Sequence, residues 1–164
     1  MFISSDTNVW IDFHEIGHLD HPFRLNFEYY ISRDTFQDEF LKSELMRNDL
    51  MNFGLHLADV TDDEFVEAVV FQERYQALSI YDTFALAIAK TRKWMLLTGD
   101  MPLRRAADME GVEVHGTIWI YDQLKAQGKM TEDEYDDVIS ELIEAVKNGR
   151  CRLPIVELYR RKRS

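Results

Sequence analysis

The chain has 164 residues, of which 46% are hydrophobic and 12% aromatic, and this is enough for one domain with a buried core. Thirty Asp and Glu against 19 Lys and Arg give a formal net charge of −11, which argues against bulk attraction to nucleic acid or anionic lipid. The single cysteine, Cys151, excludes an internal disulfide and a cysteine-based zinc site. Because no secretory signal or membrane-length apolar run is visible, we expect a soluble cytoplasmic protein with no membrane partner.

Five short apolar runs predict β-strands at intervals along the chain. They are Phe2–Ser5, Tyr29–Ser32, Leu55–Ala58, Trp94–Thr98 and Val112–His115. Segments of helical length separate them, and strands that alternate with helices form parallel sheets covered on both faces. We therefore predict an α/β fold of three layers, α/β/α, with a central parallel sheet.

Three segments carry the clearest helix signals. Residues 61–64 and 131–134 both have the Thr-x-x-Glu spacing of a capping box, and they predict helices that run to about residue 76 and towards Gly149. Residues 82–92 are apolar on all sides in their middle part, which predicts a buried central helix.

Acidic residues stand at several points where a strand is expected to give way to a helix. Asp6 and Asp100 follow the first and fourth strands, Asp82 begins the buried helix, and Glu39 comes shortly after the second strand. In open parallel sheets, ligands bind beyond the carboxyl ends of the strands, where these acids are expected to lie. Each Asp alone is well explained as a helix N-cap, and Glu39 as a solvated helix residue. Carboxylates that converge without cationic partners, however, favour a hard divalent cation such as Mg²⁺ or Mn²⁺.

The segments around these acids resemble PIN-domain ribonucleases, a family that includes the VapC-type toxins of toxin–antitoxin pairs. The resemblance rests on residues 3–9, 80–87, 97–104 and 110–116, and in order and spacing it spans about residues 1–125. It implies an α/β/α nuclease domain whose acidic pocket holds Mg²⁺ or Mn²⁺ and hydrolyses RNA phosphodiester bonds to a 5′-phosphate and a 3′-hydroxyl. Residues 126–164 are then a helical C-terminal extension of the same domain with a basic tail.

Carried over position by position, the resemblance implies roles for single residues. Asp6, Glu39, Asp82 and Asp100 match the catalytic acids, and the three aspartates match the metal ligands. The adjacent Asp38 competes with Glu39 for the position of the helix acid. The residues that match supporting polar groups are Asn8 and Thr98.

The basic residues and partners are open to more than one interpretation. Candidate phosphate contacts at the pocket rim are Lys90, Arg92, Lys93, Arg104 and Arg105, although ordinary solvated helix charge explains them equally well. Arg160–Arg163 is either an RNA contact or a frayed tail.

The resemblance also implies an antitoxin partner and a homodimer, for which the apolar helix pattern near the C-terminus is further support.

Two alternatives differ in class from a nuclease. His14-Glu15-Ile16-Gly17-His18 has the His-Glu-x-x-His spacing of helical zinc proteases, with His21 close behind. Gly17 weakens the helix that this chemistry needs, and Asp20-His21-Pro22 closes the segment soon afterwards, so surface histidines or an adventitious metal contact are the simpler interpretations. The other alternative is a PIN fold that binds RNA or protein without catalysis.

Overall fold

The computed structural model describes residues 1–40 and 43–163. Its five strands form one parallel sheet in the order β3-β2-β1-β4-β5. The strands are β1 (Phe2–Ser5), β2 (Glu28–Ser32), β3 (His56–Ala58), β4 (Met95–Leu97) and β5 (Val114–His115). The predicted strands and the parallel sheet are confirmed, with ends that differ by one or two residues. Ser164, the last residue of the predicted extension, lies outside the described residues.

Nine α-helices are described along the chain, together with a 3₁₀ turn at His21–Arg24. They are α1 (Thr7–Glu15), α2 (Arg33–Glu39), α3 (Glu44–Phe53), α4 (Asp62–Arg74), α5 (Ile80–Arg92), α6 (Met101–Met109), α7 (Thr117–Ala126), α8 (Glu132–Lys147) and α9 (Ile155–Arg161). None of the described helices is long and apolar enough to cross a membrane.

The helices cover both faces of the sheet, as the alternation of side chains along a strand requires. Ile3 of β1 and Leu97 of β4 face a large core built with α1, α3, α7 and α8. Leu96 points to the other face, into a smaller core with α4, α5 and α6. This is the predicted three-layer α/β/α architecture. It places β1 at the centre, between β2 and β4.

The predicted helix starts are confirmed in two of three cases. Thr61 and Thr131 each accept a hydrogen bond from the backbone N–H three residues on and complete a capping box. The buried helix α5, expected from Asp82, begins earlier at Ile80, with Ser79 as its N-cap and Asp82 as the acid of a third box. The usual Ser/Thr-x-x-Glu/Gln pattern does not indicate this box, because Asp stands at the position of Glu or Gln.

The apolar face of α8 packs into the large core of the domain. Val138, Ile139 and Leu142 are buried in the same core as Ile3. Leu158 of α9 is fully buried there as well. The apolar pattern near the C-terminus therefore gives no support to a homodimer, because this domain already covers it.

The basic C-terminal segment is tied to the domain by ion pairs. Arg161 contacts Asp122 of α7 and Glu157 of its own helix. Arg163 donates a hydrogen bond to Asp133 at 2.8 Å. A frayed tail does not describe this segment, which is helical up to Arg161.

Candidate active site

Asp6 lies at the carboxyl end of the central strand, and its side chain is only 4% exposed. Its Oδ1 accepts a hydrogen bond from the backbone N–H of Thr7 at 2.8 Å, which caps α1. Its Oδ2 accepts one from the Thr98 hydroxyl at 3.0 Å. The backbone of Asp6 also donates to the Leu97 carbonyl at 3.0 Å and extends the pairing of β1 with β4. Two neighbouring strands thus hold this buried carboxylate in place.

Asp100 and Asp82 stand at the starts of two further helices. Oδ2 of Asp100 accepts from the backbone N–H of Leu103 at 3.0 Å and caps α6. Oδ2 of Asp82 accepts from the backbone N–H of Ser79 at 2.9 Å within the first turn of α5. The N-cap interpretation is therefore correct for Asp6 and Asp100, and Asp82 caps from the third helical position. The three acids thus stand at the first turns of α1, α5 and α6, where the positive ends of the helix dipoles favour negative charge.

Glu39 is the last residue of α2, and a hydrogen bond fixes its direction. The Thr7 hydroxyl donates to Oε1 of Glu39 at 2.7 Å, which brings α2 against the first turn of α1. The neighbouring Asp38 has a different partner, since the Tyr81 hydroxyl donates to its Oδ2 at 2.8 Å. Of the two candidates for the helix acid, Glu39 is the one that the structure brings next to Asp6.

The four acids influence one another electrostatically. Burial, and then the charge of Asp82, raise the pKa of Asp6 to about 7. Burial raises the pKa of Asp82, to which the Asp100 charge adds. Burial and the charge of Asp82 also raise the pKa of Glu39, although the Thr7 hydroxyl opposes this. The acids therefore form one cluster in which each negative charge is costly for its neighbours.

Among residues 1–40 and 43–163, none of the four carboxylates forms an ion pair with Lys, Arg or His. A nearly buried carboxylate without a cation is costly, and carboxylate and hydroxyl oxygens are the donors that hard divalent cations prefer. The donor set of Asp6, Asp82 and Asp100 therefore fits Mg²⁺ or Mn²⁺. The carboxylate oxygens are not packed into a preformed cage, since they do not all lie within 4.8 Å of one another.

A family model described as a PIN domain matches residues 2–161. The chain belongs to the PIN-domain family. Proteins of this family are generally nucleases, and the five-stranded parallel sheet flanked by helices agrees with the PIN-domain fold. No curated protein and no solved structure gives a significant match to the chain.

The two residues expected to support the pocket, Thr98 and Asn8, both make hydrogen bonds to the backbone of the loop between β4 and α6, to which Thr98 itself belongs. The Thr98 side chain is fully buried, and its hydroxyl accepts from the backbone N–H of Asp100 at 3.1 Å while it donates to Asp6. Oδ1 of Asn8 accepts from the backbone N–H of Gly99 at 3.2 Å. Both residues therefore shape the loop that carries Asp100.

Arg104 is the expected basic residue that contacts the loop after β4. Its Nη1 donates to the carbonyl of Thr98 at 3.1 Å, and the hydroxyl of the same Thr98 donates to Asp6. Gly116 makes room for this guanidinium, because a Cβ at position 116 would lie 2.9 Å from Nη1 of Arg104 and 3.3 Å from the Thr98 carbonyl oxygen. Arg105, the next residue, is exposed on α6.

Lys90 and Arg92 are not at the rim of the acidic pocket, which corrects the expectation from the sequence. They lie at the far end of α5 from Asp82, about 12 Å or more along the helix axis. Lys90 pairs with Glu110 at 2.8 Å, and Arg92 pairs with the buried Glu64 at 2.8 Å. Lys93 is exposed just beyond this end of the helix. Ion pairing within the domain explains the first two charges.

Sequence reasoning missed several residues beside the acids. Thr7 donates a hydrogen bond to Glu39. In the sequence, the one feature that points to Thr7 is its position next to Asp6. Arg150 and Arg152, from the segment after α8, line a cavity of about 460 Å³ together with Asn8 and Asp100. No local pattern could have found them, because they approach the pocket only through the packing of the C-terminal helices.

The zinc-protease interpretation is wrong for this fold. Helix α1 ends at Glu15, and Gly17 adopts a φ of 75°, which turns the chain away from the helix axis. His14 therefore lies on the helix and His18 beyond it. The protease chemistry needs both imidazoles one turn apart on the same helical face.

Proposed function

We propose that the chain is a metal-dependent endoribonuclease that hydrolyses RNA phosphodiester bonds, with Mg²⁺ or Mn²⁺ in the pocket formed by Asp6, Glu39, Asp82 and Asp100. One observation carries the proposal. Asp6 is almost completely buried beside other carboxylates, and it has hydroxyl and amide donors but no ion pair with a cationic side chain among the described residues. A bound divalent cation would remove this electrostatic cost.

Asp6, Asp82 and Asp100 are the proposed ligands. Each uses one oxygen to cap a helix, but no three of the acids have ligand oxygens within 4.8 Å of one another in the described residues. The side chains would therefore have to draw together around an ion. The ion would lower the pKa of a bound water molecule and offset the negative charge that develops on the phosphate.

Glu39 is the proposed general base. Thr7 holds its Oε1, which leaves Oε2 to take a proton from an attacking water molecule. The raised pKa of Glu39 makes it a better proton acceptor than an ordinary surface carboxylate.

Arg104 is the proposed phosphate contact. Within the described part of the chain, the Arg104 side chain donates to one acceptor, the Thr98 carbonyl, and a guanidinium has further N–H groups for a phosphate oxygen. Arg105 is exposed beside it and is a weaker candidate. A positive side chain at the rim of a negative pocket would guide RNA towards the acids.

The proposal is tested by cleavage of labelled RNA with the purified, untagged full chain. We expect cleavage with Mg²⁺ or Mn²⁺, none with EDTA, and none of a DNA strand of the same sequence. Asp6→Asn and Asp100→Asn should lose activity, whereas Asp108→Asn, an exposed acid on α6, should retain it. Circular dichroism on each variant separates lost chemistry from lost folding.

Two outcomes would contradict the proposal. Cleavage that persists in Asp6→Asn and Asp100→Asn would come from a contaminating nuclease. Metal-independent RNA binding by the parent, without cleavage of any RNA offered, would favour a non-catalytic PIN domain instead.

The resemblance to VapC-type toxins extends the proposal to a cytoplasmic toxin that pairs with an antitoxin and acts as a homodimer. One surface favours a protein partner: Phe65, Val66, Val69 and Val70 are exposed together on α4. An adjacent antitoxin gene and a dimer in light scattering at micromolar concentration would support this extension. A monomer under those conditions would contradict the homodimer.

A further inference from the structure

A second group of ligand-type side chains lies outside the acidic pocket. His18, Asp20 and His21 each offer a ligand atom, and these three atoms all lie within 4.8 Å of one another. Within residues 1–40 and 43–163, this is the one group of three or more His, Cys, Asp or Glu that is packed so tightly. It follows α1, whose nine residues separate it from Asp6 by about 13 Å along the helix axis.

The backbone brings the two histidines together in a tight turn. After Gly17 reverses the chain, the backbone N–H of His18 donates to the Phe13 carbonyl at 2.8 Å, and that of His21 donates to the His18 carbonyl at 3.1 Å. The two imidazole rings lie 4.0 Å apart, centroid to centroid, with nearly parallel planes. The nitrogen lone pairs of stacked rings lie in separate parallel planes, so one imidazole must rotate about its side-chain bonds before both can bind the same ion.

Each imidazole also has an outer partner from a C-terminal helix. Nε2 of His18 lies 2.8 Å from Oε2 of Glu141 on α8, and Nδ1 of His21 lies 3.1 Å from the Tyr121 hydroxyl on α7. One nitrogen of each ring is thus engaged, and the other remains for a ligand. Metal-binding histidines are commonly oriented in this way, with the second nitrogen bound to a carboxylate or another polar group.

We propose that His18, Asp20 and His21 bind a transition metal ion of the zinc class, with Glu141 as the outer partner that orients His18. Two imidazoles and one carboxylate suit Zn²⁺, and this donor set also suits Co²⁺, Ni²⁺ and Cu²⁺, whereas Mg²⁺ prefers oxygen ligands alone. Three protein ligands leave one tetrahedral position for water. The site is separate from the acidic pocket and from the proposed nuclease reaction.

Two of the three proposed ligands are open to solvent, whereas His21 is buried. The side chains of His18 and Asp20 are 30% and 49% exposed. Among the described residues, Asp20 pairs with Arg24, at 3.9 Å, and Arg24 also approaches Glu134 at 3.6 Å. A long contact between half-exposed side chains contributes little, so Asp20 can exchange this cation for a metal ion.

The consequence would be a metal-dependent connection between distant parts of the chain. His18 and Glu141 are 123 positions apart, and His21 and Tyr121 are 100 apart. An ion at this site would fasten the turn after α1 to helices α7 and α8. Because the ion binds only the folded arrangement, it would raise the melting temperature in proportion to the logarithm of its free concentration.

The test is a titration of the untagged, EDTA-stripped full chain with Zn²⁺ in the presence of excess Mg²⁺, which occupies oxygen-ligand sites. We expect one equivalent of Zn²⁺ to bind and the melting temperature to rise. His18→Gln and Asp20→Asn should each weaken Zn²⁺ binding by more than about tenfold, and Glu141→Ala by about 10- to 100-fold. His14→Gln is the matched control, because His14 is exposed on α1 and outside the group.

A second measurement identifies the ligands directly. Co²⁺ should give the intense visible absorption of a tetrahedral site in the parent and in His14→Gln, and not in His18→Gln. The proposal is overturned if the parent binds no Zn²⁺ at micromolar concentration, or if His18→Gln and Asp20→Asn bind it as the parent does. It is also overturned if Asp6→Asn, rather than His18→Gln, abolishes binding, since the ion would then occupy the acidic pocket.

Discussion

The Thr98 hydroxyl donates a hydrogen bond to Oδ2 of Asp6 over 3.0 Å, although the two residues are 92 positions apart in the chain. The same hydroxyl accepts from the backbone N–H of Asp100. One small buried side chain therefore positions two of the four acids, and it joins the end of β1 to the loop after β4.

Replacing Thr98 by Val keeps its shape and removes this hydroxyl. We expect the free energy of unfolding to fall by about 1–3 kcal/mol, because buried polar groups lose a partner. We expect RNA cleavage to fall by about 10- to 100-fold, which is typical when the orientation of a metal ligand is lost. Thr98→Ser restores the hydroxyl and should recover most of the activity. Full activity in Thr98→Val would contradict the positioning role.

In the metal-free protein, the contribution of Asp6 to stability should decrease as the pH rises from about 4 to about 7. Burial and the Asp82 charge raise the pKa of Asp6 to about 7, so the folded state holds a proton over this interval that the unfolded state has already released. The stabilisation is complete at low pH and is lost as the pH passes through the pKa of the folded state. Each unit of raised pKa corresponds to about 1.4 kcal/mol.

This prediction is checked by urea unfolding in EDTA at several pH values, with the parent and Asp6→Asn side by side. The difference between the two isolates Asp6 from Asp12, whose burial raises its pKa to about 6, and from His21, whose burial lowers its pKa to about 4. Above pH 7 the variant should be the more stable protein. Mn²⁺ should reduce the difference. A difference that does not vary with pH would contradict the raised pKa of Asp6.

The two neighbouring acids of α2 should have unequal roles. Glu39→Gln should lower RNA cleavage by about 10²- to 10⁴-fold, the usual loss when a general base is removed. Asp38→Asn should cleave RNA almost as the parent does, because Asp38 is engaged by the Tyr81 hydroxyl instead. Single-turnover rates of the two variants at saturating RNA make the comparison. The reverse result would make Asp38 the functional acid.

Arg92 should matter for stability and not for RNA. It makes two hydrogen bonds to Glu64, whose side chain is 1% exposed, so Arg92→Ala leaves a buried carboxylate without its cation. We expect a loss of about 3 kcal/mol in the free energy of unfolding and an unchanged KM for RNA. Arg92→Lys keeps the charge and should lose less. A raised KM with unchanged stability would restore Arg92 as a substrate contact.

The sheet could be predicted from local patterns because each strand is a short apolar run bounded by polar residues. The run Trp94–Thr98, for example, contains the observed β4 at Met95–Leu97. The start of α5 was placed too late, because the capping box from Ser79 uses Asp82 in place of Glu. The capping-box rule applies here, but the rule names Glu or Gln at the third helical position and this helix has Asp there.

The candidate site was predictable in part. Asp6 and Asp100 follow from their positions after two strands, and the structure brings those strands side by side. Glu39 and Asp38 could not be separated by sequence, since the choice depends on hydroxyl groups from Thr7 and Tyr81 that are distant in the chain. The positions of Lys90 and Arg92 on the same helix as Asp82 are enough to place them at its other end, because a helix rises about 1.5 Å per residue. Ion-pair partners such as Glu110 and Glu64 become visible only after folding.

The helix caps made by Asp6 and Asp100 have a consequence for how relatives of this chain would diverge. Asn or Ser at either position could still accept the hydrogen bond that starts the helix, but neither carries a charge. If the proposed reaction were lost in a relative, a short polar side chain at both places would still stabilise the two helices, whereas an apolar replacement would cost about 0.5–2 kcal/mol at each. In an otherwise similar chain, Asn or Ser at these two positions would thus indicate loss of the proposed catalysis with the same fold.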